Sequence, residues 1–131
     1  MKKQARIIFV GIHKKPGMES LDSRTMTGKV IDRIIEQLKP YECIKSNIFD
    51  KEYFPNSKLE IWNSGARWYN KFKPINKDLI ILLGKWTQDN FLPAPGIVIK
   101  LAHPASFNYR SKARKEEYIN IAVEKIKSKL K

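Results

Sequence analysis

Hydrophobic positions along the chain follow two patterns that take turns. Four short β-branched or aliphatic runs read as strands: Ala5–Ile12 (ARIIFVGI), Tyr41–Ile48 (YECIKSNI), Asp78–Gly84 (DLIILLG) and Gly96–Ala102 (GIVIKLA). The third, the fourth and most of the first lack period-two alternation, which predicts strands covered on both faces. Between the runs, apolar residues recur at helical spacing. Arg24–Leu38 puts Val30, Ile31, Ile34, Ile35 and Leu38 on one face. Lys58–Phe72 opens on a Ser57-x-x-Glu60 capping box and carries Ile61, Trp62, Gly65, Trp68, Tyr69 and Phe72. The spacing of Trp62, Trp68, Tyr69 and Phe72 predicts helix core rather than stacking platforms. Lys85–Leu92 reads as a short third helix. Lys112–Leu130 spaces Tyr118, Ala122, Ile126 and Leu130 four apart, with Ile119 and Val123 beside them, and reads as an amphipathic terminal helix.

The resulting order, β-α-β-α-β-α-β-α, predicts an α/β fold in three layers, with a four-stranded parallel sheet between helices on both faces. Residues 1–131 are expected to form one domain. Function in such sheets sits beyond the carboxyl ends of the strands. The two longest irregular segments, Lys14–Ser23 and Phe49–Asn56, each follow a predicted strand and are expected to rim a site.

Charge narrows the choice of partner. With 26 Lys+Arg against 13 Asp+Glu, the chain carries +13, a field that attracts polyanions with salt-dependent affinity. Nucleic acid, DNA in particular, is the favoured partner. A single cysteine, Cys43, excludes an internal disulfide, a CxxC pair and a four-cysteine cluster site, and points to the reducing cytoplasm. The two histidines lack metal-ligand spacing, so neither metal nor cofactor is expected. No run approaches the length of a membrane span, and the basic start leads into a strand without a signal-peptide core. The protein is expected to act as a monomer away from membranes.

Candidate chemistry gathers at one edge. His13 follows the first strand and His103 the fourth, so both histidines of the chain fall at the functional end of the sheet. The loop Gly11-Ile12-His13-Lys14-Lys15-Pro16-Gly17-Met18 matches neither the dinucleotide fingerprint nor the P-loop. Its two glycines can bring Gly11, Ile12 and His13 close to a flat ligand. Asn47, near the end of the second strand, offers one donor and one acceptor to a base edge. Phe49, Tyr53 and Phe54 in the rim are the stacking candidates. Ahead of the last helix, Ser106, Arg110, Ser111, Lys112 and Arg114 form a cationic cradle where helix-start amides also favour an anion.

These features, in this order, resemble the uracil-DNA glycosylase superfamily over nearly the whole chain. Ile7–Gly11 with its Pro-Gly loop is similar to the family's first strand and loop. Thr27-Gly28-Lys29-Val30-Ile31-Asp32 is similar to the helix start that follows it, and Ser46-Asn47-Ile48 to the strand end that carries a base-reading Asn. Leu79–Gly84 with Lys85 resembles the third-strand segment. His103-Pro104-Ala105-Ser106 with Arg110 resembles the motif that touches flipped base and DNA backbone. The resemblance implies that His103 stabilises the departing base by a hydrogen bond or positive potential and that Asn47 reads its edge. It also implies that Ser106 and Arg110 grip phosphates, with Lys112 and Arg114 adding affinity. Where the family places a water-positioning Asp or Asn in the first loop, this chain offers His13 or, later, Asp22. Where the family stacks an aromatic on the base, it offers Met18, Met26 or Phe49. The family's cluster-binding cysteines are absent, leaving a small, cluster-free member.

The leading expectation is therefore a monofunctional DNA glycosylase acting on uracil or another deaminated or modified base. Its rival is a non-catalytic nucleic-acid or nucleotide-binding protein on the same scaffold. A hydrolase of free nucleosides is a third reading, which the basic segment before the last helix disfavours.

Overall fold

The computed structural model describes residues 5–13, 16–49, 51, 56–91, 93–104 and 111–130. Strands β1 (Arg6–Gly11), β2 (Glu42–Asn47), β3 (Leu79–Leu83) and β4 (Ile97–Leu101) alternate with helices α1 (Met26–Gln37), α2 (Lys58–Phe72), α3 (Lys85–Asn90) and α4 (Lys112–Lys129). All strands are parallel, in the order β2-β1-β3-β4. The fold is thus α/β with a four-stranded parallel sheet, as the alternation predicts.

Two apolar clusters cover the sheet. On one face Ile7, Phe9, Leu79, Ile81, Leu83, Ile99 and Leu101 meet Val30, Ile31 and Ile34 of α1 and Tyr118, Ile119, Ala122, Val123 and Ile126 of α4. On the other, Ile8, Val10, Ile80 and Leu82 meet Trp68 and Phe72 of α2 and Trp86 of α3. This alternate use of β1 and β3 explains their unbroken apolar runs, since each successive side chain enters a different cluster. Each fully buried aliphatic side chain contributes about 1.5–3 kcal/mol.

The fourth strand departs from expectation. Ile99 and Leu101 are buried, but Ile97, Val98 and Lys100 are exposed, because β4 is an edge strand. Helix α2 is also more one-sided than its aromatic content suggests. Trp68 is buried and Phe72 half-buried, whereas Trp62 is 63% exposed and Tyr69 41%. At 100° per residue, positions 64, 65, 68 and 72 share the inner face, and 62 and 69 turn outward.

Local chemistry sets the element ends. Ser57 caps α2 by accepting from the Glu60 amide at 3.2 Å, and the Glu60 carboxylate accepts from the Asn56 amide at 3.1 Å, a capping box displaced by one residue. Thr25 caps α1 through the Gly28 amide at 2.9 Å, so the helix begins at Met26 rather than Arg24. At the amino ends of the strands, buried Asp78 accepts from the Arg6 amide (3.1 Å), Arg6 Nη2 (2.8 Å) and the Ile75 amide (2.9 Å). Among the described residues, no helix is long and apolar enough to cross a membrane.

Candidate functional site

β1 sits between β2 and β3, so the chain leaves its carboxyl end in one direction and passes β3 on the other side. That reversal opens a crevice beyond the strand ends. A cavity of about 320 Å³ occupies it, lined by Gly11, Ile12, His13, Met18, Glu19, Leu21, Asp22, Thr25, Thr27, Asn47 and His103. Seven sequence-predicted site residues, from four separate segments, thus meet around one space: Gly11, Ile12, His13, Met18, Asp22, Asn47 and His103.

The β1–β2 ladder places its floor. Gly11 pairs with Asn47 in register, and pairing runs on past the strands through the Ile48 amide to Gly11 O and the Phe49 amide to Ile12 O, both 2.9 Å. A Cβ on Gly11 would lie 3.0 Å from Asn47 Nδ2 and 3.1 Å from Leu21 Cδ2, so glycine leaves room for both side chains. Asn47 Oδ1 is buried without a hydrogen-bond partner among the described residues. A buried acceptor left in this state costs about 1–3 kcal/mol. A ligand donor entering the cavity would recover that cost.

His103 lies just past β4, and three contacts fix the chain there. Tyr118 donates to Ala102 O at 2.5 Å, while the Gly84 amide and Gln88 Nε2 both donate to Leu101 O at 2.9 Å. Gly84, at φ +88°, lets the backbone pass His103: a Cβ there would stand 3.1 Å from His103 Cβ. Burial lowers the His103 pKa below the ordinary 6.5, so the imidazole is neutral at pH 7. A neutral ring acts as a hydrogen-bond donor or acceptor toward a ligand.

The loop after β1 supplies the opposite wall. Leu21 adopts φ +49°, a strained conformation for a residue with a branched side chain, and turns its methyl groups over Gly11. Asp22, the alternative water-positioning candidate, has both carboxylate oxygens engaged within its own loop. Oδ1 accepts from the Arg24 amide (2.8 Å) and Arg24 Nε (2.9 Å), and Oδ2 from Arg24 Nη2 (2.8 Å) and the Glu19 amide (3.0 Å). The Arg24 guanidinium and these amides hold its carboxyl well below the usual carboxylate range. A carboxylate so stabilised is a poor proton acceptor, and its four hydrogen bonds make Asp22 a clamp that shapes the loop. The loop then lies directly on α1. A Cβ on Gly28 would fall 1.8 Å from Asp22 O, so only glycine permits this contact.

Phe49 also departs from its expected role. It is 2% exposed and packs with Ile8, Val10 and Trp68 in the second core cluster, away from this cavity, because the residues after β2 turn inward. The apolar wall is formed by Ile12, Met18 and Leu21 instead. Met26, the other stacking candidate, is 42% exposed and does not line the cavity. Lys112 and Arg114 are exposed in the first turn of α4, whose cap is Ser111 (Oγ accepts from the Arg114 amide at 3.2 Å). Glu116 does not relieve their charge alone, since it pairs with Arg33 of α1. Ser106, Arg110, Tyr53 and Phe54 lie outside the described residues.

Glu19, Leu21 and Thr25 line the cavity without having been singled out, and Thr27 of the helix-start motif joins them. The unusual length of the loop was the only signal for Glu19 and Leu21. Among the described residues, no group of three or more His, Cys, Asp or Glu is placed to hold a metal. No protein-family model and no curated protein matches the chain.

Proposed function

We propose that the protein is a DNA glycosylase that hydrolyses the N-glycosidic bond of uracil or a related deaminated base held in this cavity. The observation that carries the reading is the buried, unpartnered Oδ1 of Asn47, a residue that lines the same cavity as His103 and His13. An amide presents an acceptor beside a donor, complementary to the N3–H and O4 of uracil. Cytosine presents the reverse pattern and would leave both amide atoms unsatisfied. Flipping the base into the cavity costs a few kcal/mol, and these contacts offset it.

In the reaction, water adds to C1′ as the C1′–N1 bond breaks, and the bond's electron pair leaves with the base. Neutral His103 donates a hydrogen bond to the oxygen on which the negative charge develops. His13 takes the proton of the attacking water, since both oxygens of Asp22 are already bonded. The positive charge of the chain supplies the salt-sensitive attraction to the strand.

The test is base release from labelled single- and double-stranded oligonucleotides carrying uracil, hypoxanthine, xanthine or 5-substituted uracils, read by alkaline cleavage at abasic sites. His103→Ala is expected to slow release by about 100- to 1,000-fold, the cost of losing one donor to a developing anion. His13→Ala is expected to slow it about 100- to 10,000-fold. Absence of release from every substrate, with salt-sensitive DNA binding intact, would replace the glycosylase by a binding protein on the same scaffold.

A further inference from the structure

Helix α2 carries a second apolar stripe that the fold leaves uncovered. Leu59, Trp62, Ala66 and Tyr69 stand at i, i+3, i+7 and i+10, the spacing of a helix-pairing seam, and all four are exposed, Leu59 by 69% and Trp62 by 63%. The stripe borders a cavity of about 300 Å³ walled by Gly65, Ala66 and Tyr69 of α2 and by Phe91, Pro93 and Ala94 of the segment after α3. Phe91 is fixed there, since its ring meets that of Trp68 edge-on at 5.1 Å between centres. The space admits an indole, because a dry cavity of about 150 Å³ already admits benzene. In a chain of net charge +13, stripe and cavity wall carry no charged side chain, and Asn63 and Asn70 flank the stripe on one side.

We infer that this face pairs with a second copy of the chain, α2 antiparallel to α2, with Trp62 of each copy seated in the other's cavity. Self-complementarity identifies the occupant, since a two-fold contact needs one patch that carries both knob and hole. With the axis at the level of residue 64, Trp62 of one copy lies opposite Ala66 of the other and Leu59 opposite Tyr69, so the largest side chain of the stripe meets the smallest. The uncharged face is also where two basic copies approach with least repulsion. Area agrees, as an aromatic side chain buries about 150–250 Å². Trp62 has 63% of its surface left to bury and Tyr69 41%. Doubled by symmetry, met by an equal area of wall and joined by Leu59, these positions reach about the 1,000 Å² at which an interface becomes specific. The pair is therefore weak and reversible, against the monomer expected from the sequence. None of these residues lines the crevice beyond the strand ends, so the inference stands apart from the glycosylase reading.

Sedimentation equilibrium of the full chain from about 1 µM to about 1 mM is expected to show the mass rising from 15.3 kDa toward twice that value, with a dissociation constant on the order of 10–100 µM. Raising NaCl should strengthen the association, because it screens +13 from +13, the opposite sign to binding of a polyanion. Trp62→Ala is expected to weaken it at least tenfold. Ala66→Arg, which fills the hole and adds a like charge, should abolish it. Both positions are exposed, so both variants should fold, and Ile121→Ala at an exposed apolar position of α4 should leave the association unchanged. In the wild type, amide shifts on dilution should centre on Ala66, Tyr69, Phe91 and Ala94, a readout independent of any variant. The mass of one chain at every concentration overturns the dimer, as does self-association that Trp62→Ala and Ala66→Arg leave intact. A chain that stays monomeric but binds N-acetyltryptophanamide in this cavity gives the cavity to an aromatic ligand or another protein and also overturns the dimer.

Discussion

Gly11 and Asn47 face each other at the last rung of the β1–β2 ladder, and a Cβ on Gly11 would lie 3.0 Å from Asn47 Nδ2. The lack of a side chain at Gly11 therefore decides where the Asn47 amide can sit. Gly11→Ala is expected to displace Asn47 by a few tenths of an ångström. Base release should fall at least tenfold, while stability changes by about 1 kcal/mol or less. Kinetics on a uracil oligonucleotide beside a urea melt separates the two effects. Equal losses in both would mean that Gly11 serves the fold and not the site.

Asp22 is the residue on which the two roles of a carboxylate, base and clamp, part most clearly. Asp22→Asn should lower the thermal midpoint, since the amide cannot match four donors. It should leave the shape of the pH–rate profile unchanged, because the carboxylate is not the group being titrated. A profile that loses its acid limb in Asp22→Asn would return the base role to Asp22.

How much of this was legible in the chain depends on the kind of signal. The bounds of α2 follow from Ser57 at its start and from the left-handed turn at Lys73 that ends it. The gathering of His13, Asn47 and His103 at one edge follows from parallel topology alone, which sends every strand end to the same side. What was not legible is direction within a loop. Nothing in the residues after β2 shows that Phe49 turns into the core, and nothing in Leu21-Asp22-Ser23-Arg24 shows a carboxylate closing on its own neighbours rather than facing a ligand. Helical spacing alone predicts Trp62 and Tyr69 as core, yet their phase on α2 turns them outward. Gln88 and Tyr118, which hold the chain beside His103, gave no sequence signal because their partners are backbone carbonyls of a remote segment.

The opposite end of the sheet depends on Asp78. Burial pushes its carboxyl up, but hydrogen bonds from Arg6 and the Ile75 amide outweigh that and leave its pKa lowered. A folded pKa below the unfolded value of about 3.9 means stability that is complete above about pH 4 and is lost as pH falls through the folded pKa. Asp78→Ala should cost about 3–5 kcal/mol at pH 7, since Arg6 is only 13% exposed and would lose its partner. Urea melts at pH 7 and pH 3 should show the gap between wild type and variant narrowing in acid. A gap independent of pH would assign the loss to packing.

For His103 the sign runs the same way over a different window. Burial lowers its pKa, so the folded state resists protonation, and its contribution to stability is complete above about pH 6.5 and is lost as pH falls toward the folded pKa. Proton NMR of the ring should give a midpoint below 6.5. A midpoint above it would favour the positive-potential role of His103 over the neutral donor.

Cys43 is half-buried on β2, and burial together with Glu42 pushes its thiol up to about 11. At pH 8 the thiolate fraction should be roughly two hundredfold below that of an ordinary cysteine of pKa about 8.5. Iodoacetamide should label the folded protein slowly and the denatured protein quickly, followed by mass spectrometry. Fast labelling of the folded protein would show that the thiol is accessible and reactive.

Gly28 carries a meaning beyond fit. With backbone pressed on backbone at Asp22, this stretch of the loop moves with α1 or not at all. The wall it forms works as a mould and not as a jaw. A ligand too large for it would be turned away by collision instead of being accommodated, and the entropy of shaping that wall is spent when the chain folds, before any ligand arrives.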